Sequence, residues 1–222
     1  MFILHNFKEI KENLPTDVTL VAVSKTKPVS EIIEAYDQGH RDFGENKVQE
    51  MVNKFEQSPK DIRWHMIGHV QRNKVKYMAS FVHLIHGVDK FSTLAEIDKQ
   101  AKKHGRVIDC LLQARIAREE TKFGMTFEQI QDMLESPELK SLENVRITGL
   151  MGMASFTEDE EIVSSEFQGL HAFYEKLKSE GHDLQILSMG MTGDYKIALR
   201  CGSNMVRIGS AIFGDRNYIA EN

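Results

Sequence analysis

Short runs of β-branched and apolar residues alternate along this chain with longer stretches whose apolar positions recur at helical spacing. This alternation is typical of β-strand and α-helix units around a parallel sheet. The runs predict eight strands, at Val18–Val23, Arg41–Phe43, Arg63–Ile67, Phe81–Ile85, Val107–Gln113, Val145–Leu150, Leu184–Leu187 and Asn204–Ile208. Helices are predicted at Phe2–Asn13, Val29–Gln38, Val48–Gln57, Arg72–Ala79, Phe91–His104, Phe127–Glu135, Glu158–Glu180 and Asp194–Arg200. Eight strands with helices between them favour an α/β fold closed as a (β/α)8 barrel of the TIM type.

The length and composition fit one such barrel. A chain of 222 residues without a break in composition is expected to form a single domain over residues 1–222. A hydrophobic share of 41% beside 27% charged residues is ordinary for a globular protein and excludes a disordered chain. Because no apolar run approaches the roughly 20 residues of a membrane span and the N-terminus lacks a secretory signal, we expect a cytoplasmic protein.

Charge and cysteine content exclude further classes. The formal net charge is −5 and no lysine or arginine cluster offsets it, so a nucleic-acid partner is not expected. Cys110 and Cys201 are the two cysteines and lack CxxC spacing, which indicates neither a disulfide framework nor a cysteine metal site.

In a barrel of this kind the residues just after each strand form the active site. Lys25 follows Val21 and Val23 at the same period-two spacing, so its ammonium is expected to emerge from an apolar wall into the mouth of the barrel. Desolvation there would leave it nucleophilic, as a Schiff base with an aldehyde requires. The alternative is a strand-end lysine that extends into solvent.

The last two loops between strand and helix predict a phosphate site. Phosphate sites in these barrels are often built from the loops after strands seven and eight. Met191-Thr192-Gly193 opens a predicted helix, with Thr192 as candidate N-cap and Gly193 allowing close approach of the backbone. Gly209-Ser210 offers a second turn with N–H groups and a hydroxyl. The alternative is that these glycines only make turns.

Arg207 lies between Val206 and Ile208 in the last predicted strand, where a guanidinium needs an acceptor. One candidate is a carboxylate such as Asp89 or Glu45. The other is the ring nitrogen of a pyridine. A lysine Schiff base, a phosphate cradle and a partner for the ring nitrogen are the three requirements of a pyridoxal phosphate site.

Five sequence blocks, in the same order, resemble the pyridoxal phosphate homeostasis protein family over almost the whole chain. They are VAVSKTKP (Val21–Pro28), FGENKVQE (Phe43–Glu50), WHMIGHVQRNK (Trp64–Lys74), TKFGM (Thr121–Met125) and LSMGMTGD with VRIGSAIFG (Leu187–Asp194, Val206–Gly214). The resemblance implies a single barrel like that of alanine racemase, which binds pyridoxal 5'-phosphate (PLP). The expected cofactor contacts are Lys25, Asn46, Met191, Thr192, Gly193, Arg207, Gly209 and Ser210, of which Asn46 rests on the resemblance alone.

Within this resemblance Lys25 bears the cofactor, Arg207 faces its ring nitrogen, and Asn46 lies close by. Lys122, in the TKFG block, is expected to be solvated, with a second phosphate-handling role as the alternative. The chain departs from the family pattern in two places. Residues 113–117 lack an asparagine that many members carry, and Gly87 replaces a common serine.

The resemblance implies a carrier or buffer of PLP without catalytic residues. An arginine partner leaves the pyridine nitrogen largely unprotonated, which weakens the ring as an electron sink. Racemases of this fold take a second base from an additional β-domain, which is not expected in a chain that ends at Asn222. The alternative is a weak amino-acid racemase or transaminase-like enzyme that uses Lys25 alone. A tyrosine reaching the pocket, among Tyr77, Tyr174 and Tyr195, would count against the carrier.

Expected partners are PLP itself and PLP-dependent client enzymes, and the expected state is a monomer because no long apolar surface stripe is evident. A metal-dependent hydrolase using His65, His69, His83 and His86 is a further alternative. It is disfavoured because the spacing of His65 and His69 runs across a glycine at a strand end and lacks an accompanying glutamate. No metal is therefore expected.

Overall fold

The computed structural model describes residues 2–118 and 123–214 and confirms the closed barrel. Its strands are all parallel, each pairs with the next, and β8 pairs with β1. The strands are β1 (Thr19–Val23), β2 (Asp42–Glu45), β3 (Arg63–Met66), β4 (Leu84–Val88), β5 (Ile108–Ala114), β6 (Val145–Gly152), β7 (Ile186–Ser188) and β8 (Met205–Ile208). All but β4 begin and end within two residues of their predicted bounds.

Helices lie between the strands, as predicted. They are α1 (Phe2–Glu12), α2 (Val29–Asp37), α3 (Val48–Gln57), α4 (Val75–Met78), α5 (Phe91–Lys103), α6 (Phe127–Glu135), α7 (Pro137–Lys140), α8 (Glu160–Ser179), α9 (Tyr195–Arg200) and α10 (Ser210–Phe213). The short α7 and α10 were not predicted, and a 3-10 turn over Arg72–Lys74 replaces the first turn of the helix predicted there. Among the described residues no helix combines the length and the apolar character needed to cross a membrane.

The fourth strand differs most from its prediction. It runs over Leu84–Val88 rather than Phe81–Ile85. Phe81 still belongs to the turn that ends α4, and its ring stacks on Phe55 of α3 with centroids 3.9 Å apart. Gly87 continues the strand instead of ending it, and the strand therefore reaches further toward the C-terminal mouth than its apolar run indicated.

The start of α9 also differs from the sequence analysis. Asp194, not Thr192, occupies its N-cap position. A turn precedes the helix, because the backbone N–H groups of Asp194 and Tyr195 donate to the carbonyl of Met191, whose own N–H donates to Asp194 Oδ1. Thr192 therefore lies in a turn ahead of the helix, where its hydroxyl is available to a neighbouring loop.

The barrel interior is only partly apolar. Most of the buried apolar side chains lie between the sheet and the surrounding helices, whereas the interior holds a small separate cluster. That cluster consists of Val21, Leu84, Leu111, Met151 and Met205. Barrels of this type usually fill their interior with branched apolar residues. Here several inward positions carry buried polar side chains instead, namely Asp42, His65, His86, Gln113, Ser188 and Arg207.

Candidate cofactor site

The pocket at the C-terminal mouth measures about 670 Å³. Small-molecule and cofactor pockets usually measure roughly 300–1,000 Å³. The lining of the C-terminal pocket brings together all the residues expected from the sequence to bind the cofactor. These are Lys25, Asn46, Met191, Thr192, Gly193, Arg207, Gly209 and Ser210. They come from the ends of β1, β2, β7 and β8, which is where catalytic and binding residues of such barrels lie.

The loop that carries Lys25 is held from below by α3. Lys54 of α3 donates from Nζ to the carbonyl oxygen of Ser24 at 2.7 Å, and Thr26 donates its N–H to Glu50 Oε1 at 2.5 Å. Thr26 has φ +65°, which costs free energy in a residue other than glycine. Because both neighbours of Lys25 are anchored, this half-buried lysine enters the pocket from a defined backbone position.

Beneath this loop lies a buried ion pair. Lys54 Nζ is 2.7 Å from Oε1 of Glu45, which also accepts from the hydroxyl of Ser24 at 2.6 Å. Burial raises the pKa of Glu45 to about 7 in spite of the neighbouring ammonium. Because Glu45 is paired with Lys54, it does not serve as the partner of Arg207.

Lys27, the neighbouring lysine in the pocket wall, has a structural contact. Its Nζ donates to the carbonyl oxygen of Phe213 at 2.6 Å and lies 4.0 Å from Glu31. The bond ties the loop after β1 to the end of α10, because the last carbonyls of a helix lack intrahelical donors. Lys27 therefore helps to hold the loop after β1 in place.

The guanidinium of Arg207 is buried and is held by neighbouring strands. Nη1 donates to the carbonyl oxygen and the hydroxyl of Ser188 at 2.8 and 2.6 Å, and Nη2 donates to the carbonyl of Gly152 at 3.0 Å. The carboxylates considered from the sequence, Asp89 and Glu45, do not provide these acceptors. Burial lowers the pKa of Arg207 to about 10, so the group stays charged at neutral pH.

The loops after β7 and β8 are joined at the edge of the pocket. The backbone N–H of Gly209 donates to Thr192 Oγ1 at 3.3 Å. Within the described residues, no protein acceptor pairs with the backbone N–H groups of Thr192 and Gly193. Ser210 begins α10, whose first N–H groups likewise have no intrahelical partner. Such converging N–H groups suit an anion.

Several lining residues were not expected from the sequence to contact the cofactor. His69 lies at the mouth and its ring stacks on Phe123 with centroids 4.3 Å apart, while Gln113 donates to the carbonyl of Phe123 at 3.2 Å. Phe123 belongs to the TKFG block, which could have indicated it. Gln113 stands at the start of the segment that lacks the family asparagine, so an amide does reach the pocket from β5.

Gly87 explains one departure from the family pattern. A Cβ atom there would lie 2.4 Å from the carbonyl oxygen of Gly68, which lines the pocket. The loop after β3 and strand β4 therefore approach so closely at this level that a serine at position 87 would require the backbone to shift. Gly68 itself meets the backbone of Asn46 with similar closeness.

Two further expectations from the sequence concern the tyrosines and Lys122. Within the described part of the chain no tyrosine lines the pocket, and the hydroxyl of Tyr174 donates to the carbonyl of Leu184 elsewhere in the core. Lys122 lies outside the described residues.

The histidines considered for a metal site lie at different levels of the barrel. His69 lines the C-terminal pocket, whereas His83 lines a second cavity, of about 380 Å³, at the N-terminal mouth. There Asp42, His65 and His83 offer ligand atoms within 4.8 Å of one another. Both carboxylate oxygens of Asp42 are bound by the guanidinium of Arg63, which gives this cluster the character of a salt bridge.

Comparisons with known proteins agree with the barrel fold. Residues 2–217 match the family model described as the N-terminal domain of alanine racemase. A pyridoxal phosphate homeostasis protein of Pasteurella multocida is 36% identical over 98% of this chain and 99% of its own length. One from Aquifex aeolicus is 39% identical over 90% of this chain and 87% of its own.

Solved structures give the same relationship. PipY of Synechococcus elongatus, solved with PLP bound, is 32% identical with a TM-score of 0.87, covering 96% of this chain and all (100%) of its own. An alanine racemase of Clostridium difficile has a TM-score of 0.82 at 16% identity, covers 96% of this chain and 56% of its own, and shows the shared fold alone. The chain belongs to the pyridoxal phosphate homeostasis protein family, within the wider group that shares the alanine racemase N-terminal barrel.

Proposed function

We propose that this chain binds pyridoxal 5'-phosphate as a Schiff base on Lys25 and carries or buffers the cofactor in PLP homeostasis, without turnover of a substrate. The observation that carries the proposal is the meeting of Lys25, Arg207 and the loops after β7 and β8 in one pocket. The family membership supports it, as does the relative PipY, which was solved with PLP bound.

The residues present fit the chemical groups of the cofactor. The aldehyde needs an amine, which Lys25 supplies from the end of β1. The phosphate needs converging N–H donors, and Thr192, Gly193 and Ser210 offer them. The ring nitrogen is an acceptor, which a permanently charged guanidinium at Arg207 can satisfy. Asn46, Met191 and Gly209 complete the wall on either side.

The same residues favour binding over turnover. Bound PLP supplies an electron-withdrawing ring whose strength depends on protonation of its nitrogen. Arg207 keeps its own proton at neutral pH, so it can orient that nitrogen without protonating it. A racemase also needs an acid or base on each face of its substrate. Among the described lining residues, the titratable groups besides the two lysines are Arg207, which keeps its proton, and His69, whose ring is stacked on Phe123.

A carrier must also release what it binds. The pocket opens at the C-terminal mouth, and the exposed side chains of Met191 and Phe123 stand at its rim. We propose that the cofactor leaves through this mouth to PLP-dependent client enzymes.

The proposal is tested by loading the protein with PLP, removing free cofactor by gel filtration and recording the visible spectrum. The loaded protein is then incubated with single enantiomers of several amino acids, and separately with an apo form of a PLP-dependent enzyme. Retained cofactor, unchanged enantiomers and activation of the client enzyme are expected.

Each part can fail separately. A protein that retains no cofactor would overturn the binding proposal. Conversion of one enantiomer into the other, above the rate of free PLP, would replace the carrier with the weak racemase that was the alternative.

A further inference from the structure

A chain of buried side chains crosses the barrel from one mouth to the other. Arg207 Nη1 is 2.6 Å from Ser188 Oγ, which is 3.2 Å from Nδ1 of His86. Nε2 of His86 is 3.0 Å from Nδ1 of His65, whose Nε2 is 3.0 Å from Oδ1 of Asp42. Each of the five residues is at most 8% exposed. Arg207 lines the cofactor pocket, and Asp42 lines the cavity at the opposite mouth.

The two ends determine the direction of every hydrogen bond between them. A guanidinium only donates and a carboxylate only accepts. Ser188 Oγ therefore accepts from Arg207, and its own hydrogen is free to point to His86. With both imidazoles neutral, His65 donates from Nε2 to Asp42 and accepts at Nδ1 from Nε2 of His86, which leaves Nδ1 of His86 to accept from Ser188. All the donors then point from the cation to the anion.

The charge states at the bottom and middle of the chain agree with this direction. Burial raises the pKa of Asp42, but hydrogen bonds from Arg63 and His65 outweigh it and hold the pKa well below its usual range. Burial lowers the pKa of His86 well below that of a free histidine, which keeps its ring neutral. Aligned hydrogen bonds in a low-dielectric interior polarise and strengthen one another.

We propose that Asp42, His65, His86 and Ser188 are positioning residues that hold the Arg207 guanidinium toward the ring-nitrogen end of the cofactor pocket through one directional hydrogen-bond chain. The N-terminal mouth of the barrel thereby influences cofactor binding at the C-terminal mouth. The effect on the cofactor rests on the proposed function, whereas the direction of the chain is a property of the cofactor-free protein.

The direction is tested first, by ¹⁵N NMR of the histidine rings in the cofactor-free protein. Both His65 and His86 are expected to carry their proton on Nε2. In Asp42→Asn the terminal group can donate as well as accept, so a mixture of tautomers is expected at His86, which does not contact residue 42. A proton on Nδ1 of His86 in the wild type would overturn the proposal, and so would an unchanged His86 in the variant.

The effect on the pocket is tested with matched serines. Ser188→Ala removes the hydroxyl that accepts from Arg207. Ser203→Ala removes a hydroxyl that is also buried, donates to the carbonyl of Met189 at 2.7 Å and is outside the chain of hydrogen bonds. Since hydrogen bonds to charged groups are among the stronger ones, the Kd for PLP is expected to rise about ten-fold in Ser188→Ala. Ser203→Ala is expected to stay within about two-fold of the wild type, on the same reasoning.

The outcomes separate this inference from the proposed function. If the wild type fails to bind PLP, the proposed function fails, and the tautomers still decide the direction of the chain. If PLP binds and both serine variants weaken binding alike, or neither does, the positioning role is overturned. Thermal unfolding of each variant excludes a general loss of structure. As a second control, the more conservative Ser188→Thr restores a hydroxyl and should recover most of the affinity.

Discussion

Thr192 accepts a hydrogen bond at Oγ1 from the backbone N–H of Gly209 at 3.3 Å, which joins the two loops expected to hold the phosphate. The threonine thus acts through a link between loops rather than as a helix cap. The link fixes the spacing between the N–H groups of the two loops before any ligand arrives, and such preorganisation strengthens binding.

Thr192→Val should therefore weaken the binding of PLP by about five-fold, the equivalent of one neutral hydrogen bond. Thr192→Ser keeps the hydroxyl and should bind nearly as the wild type does. Equilibrium dialysis with PLP and with pyridoxal, which lacks the phosphate, provides the measurement. An equal loss for both ligands would show that Thr192 does not act at the phosphate.

Arg207 is expected to stabilise the barrel as well as to bind the cofactor. Arg207→Met leaves the carbonyls of Ser188 and Gly152 without their donor inside the core. The cost is expected to be about 3 kcal/mol of unfolding free energy, from the usual penalty for buried unsatisfied acceptors. Urea unfolding of the cofactor-free protein measures it. Arg207→Lys, which can reach only one of the two carbonyls, should lose less unfolding free energy. A change in unfolding free energy below about 0.5 kcal/mol in Arg207→Met would refute this stabilising role.

Glu45 should make stability depend on pH. Burial raises its pKa from 4.5 to about 7, so the folded protein binds this proton more tightly than the unfolded chain. The resulting stabilisation is fully present below pH 4.5 and is lost as pH rises through about 7. As pH rises between these two values, Glu45→Gln should become more stable relative to the wild type. The relative gain should reach about 3 kcal/mol, at 1.36 kcal/mol per pKa unit. Parallel stability curves for the two proteins between about pH 5 and about pH 8 would contradict it.

The close approach at Gly87 predicts intolerance to a side chain. Gly87→Ser places a Cβ 2.4 Å from the carbonyl oxygen of Gly68 and should destabilise the protein by about 2 kcal/mol, typical of overpacking. Gly169→Ala in α8 is the matched control, because no atom lies within 4 Å of its Cβ position. Helix propensity should make that control slightly more stable, by about 0.5–1 kcal/mol. Thermal unfolding that ranks the two variants the other way would be incompatible with this geometry.

Much of the cofactor pocket could be predicted because strand periodicity reports which way a side chain points. Lys25 continues the inward row of Val21 and was placed inside the barrel on that spacing. Arg207, placed inside by its position in the last strand, follows the inward Met205 in the same way. In a closed parallel barrel the ends of these rows meet at one mouth, which brought distant loops into one site.

Contacts between strands could not be predicted, because they depend on how adjacent strands are staggered. Sequence alone offered carboxylates for Arg207, whereas the stagger places the carbonyls of β6 and β7 beside it. For the same reason the histidines were considered from the sequence only as a metal site, which their spacing disfavoured. Only the register of β3 against β4 shows that His65 and His86 form part of a hydrogen-bond chain. A turn stabilised by Asp194 likewise concealed that Asp194, rather than Thr192, is the N-cap of α9.

The role of Lys25 is tested most directly by borohydride reduction of the PLP-loaded protein, followed by peptide mass mapping. Wild type, Lys25→Ala and Lys27→Met are compared, the last because Lys27 is bound to the carbonyl of Phe213 and should not carry the cofactor. The expected result is a cofactor mass on the peptide containing Lys25 in the wild type and Lys27→Met, and none in Lys25→Ala. Trapping on Lys27, or on any lysine in Lys25→Ala to the wild-type extent, would contradict the assignment of Lys25.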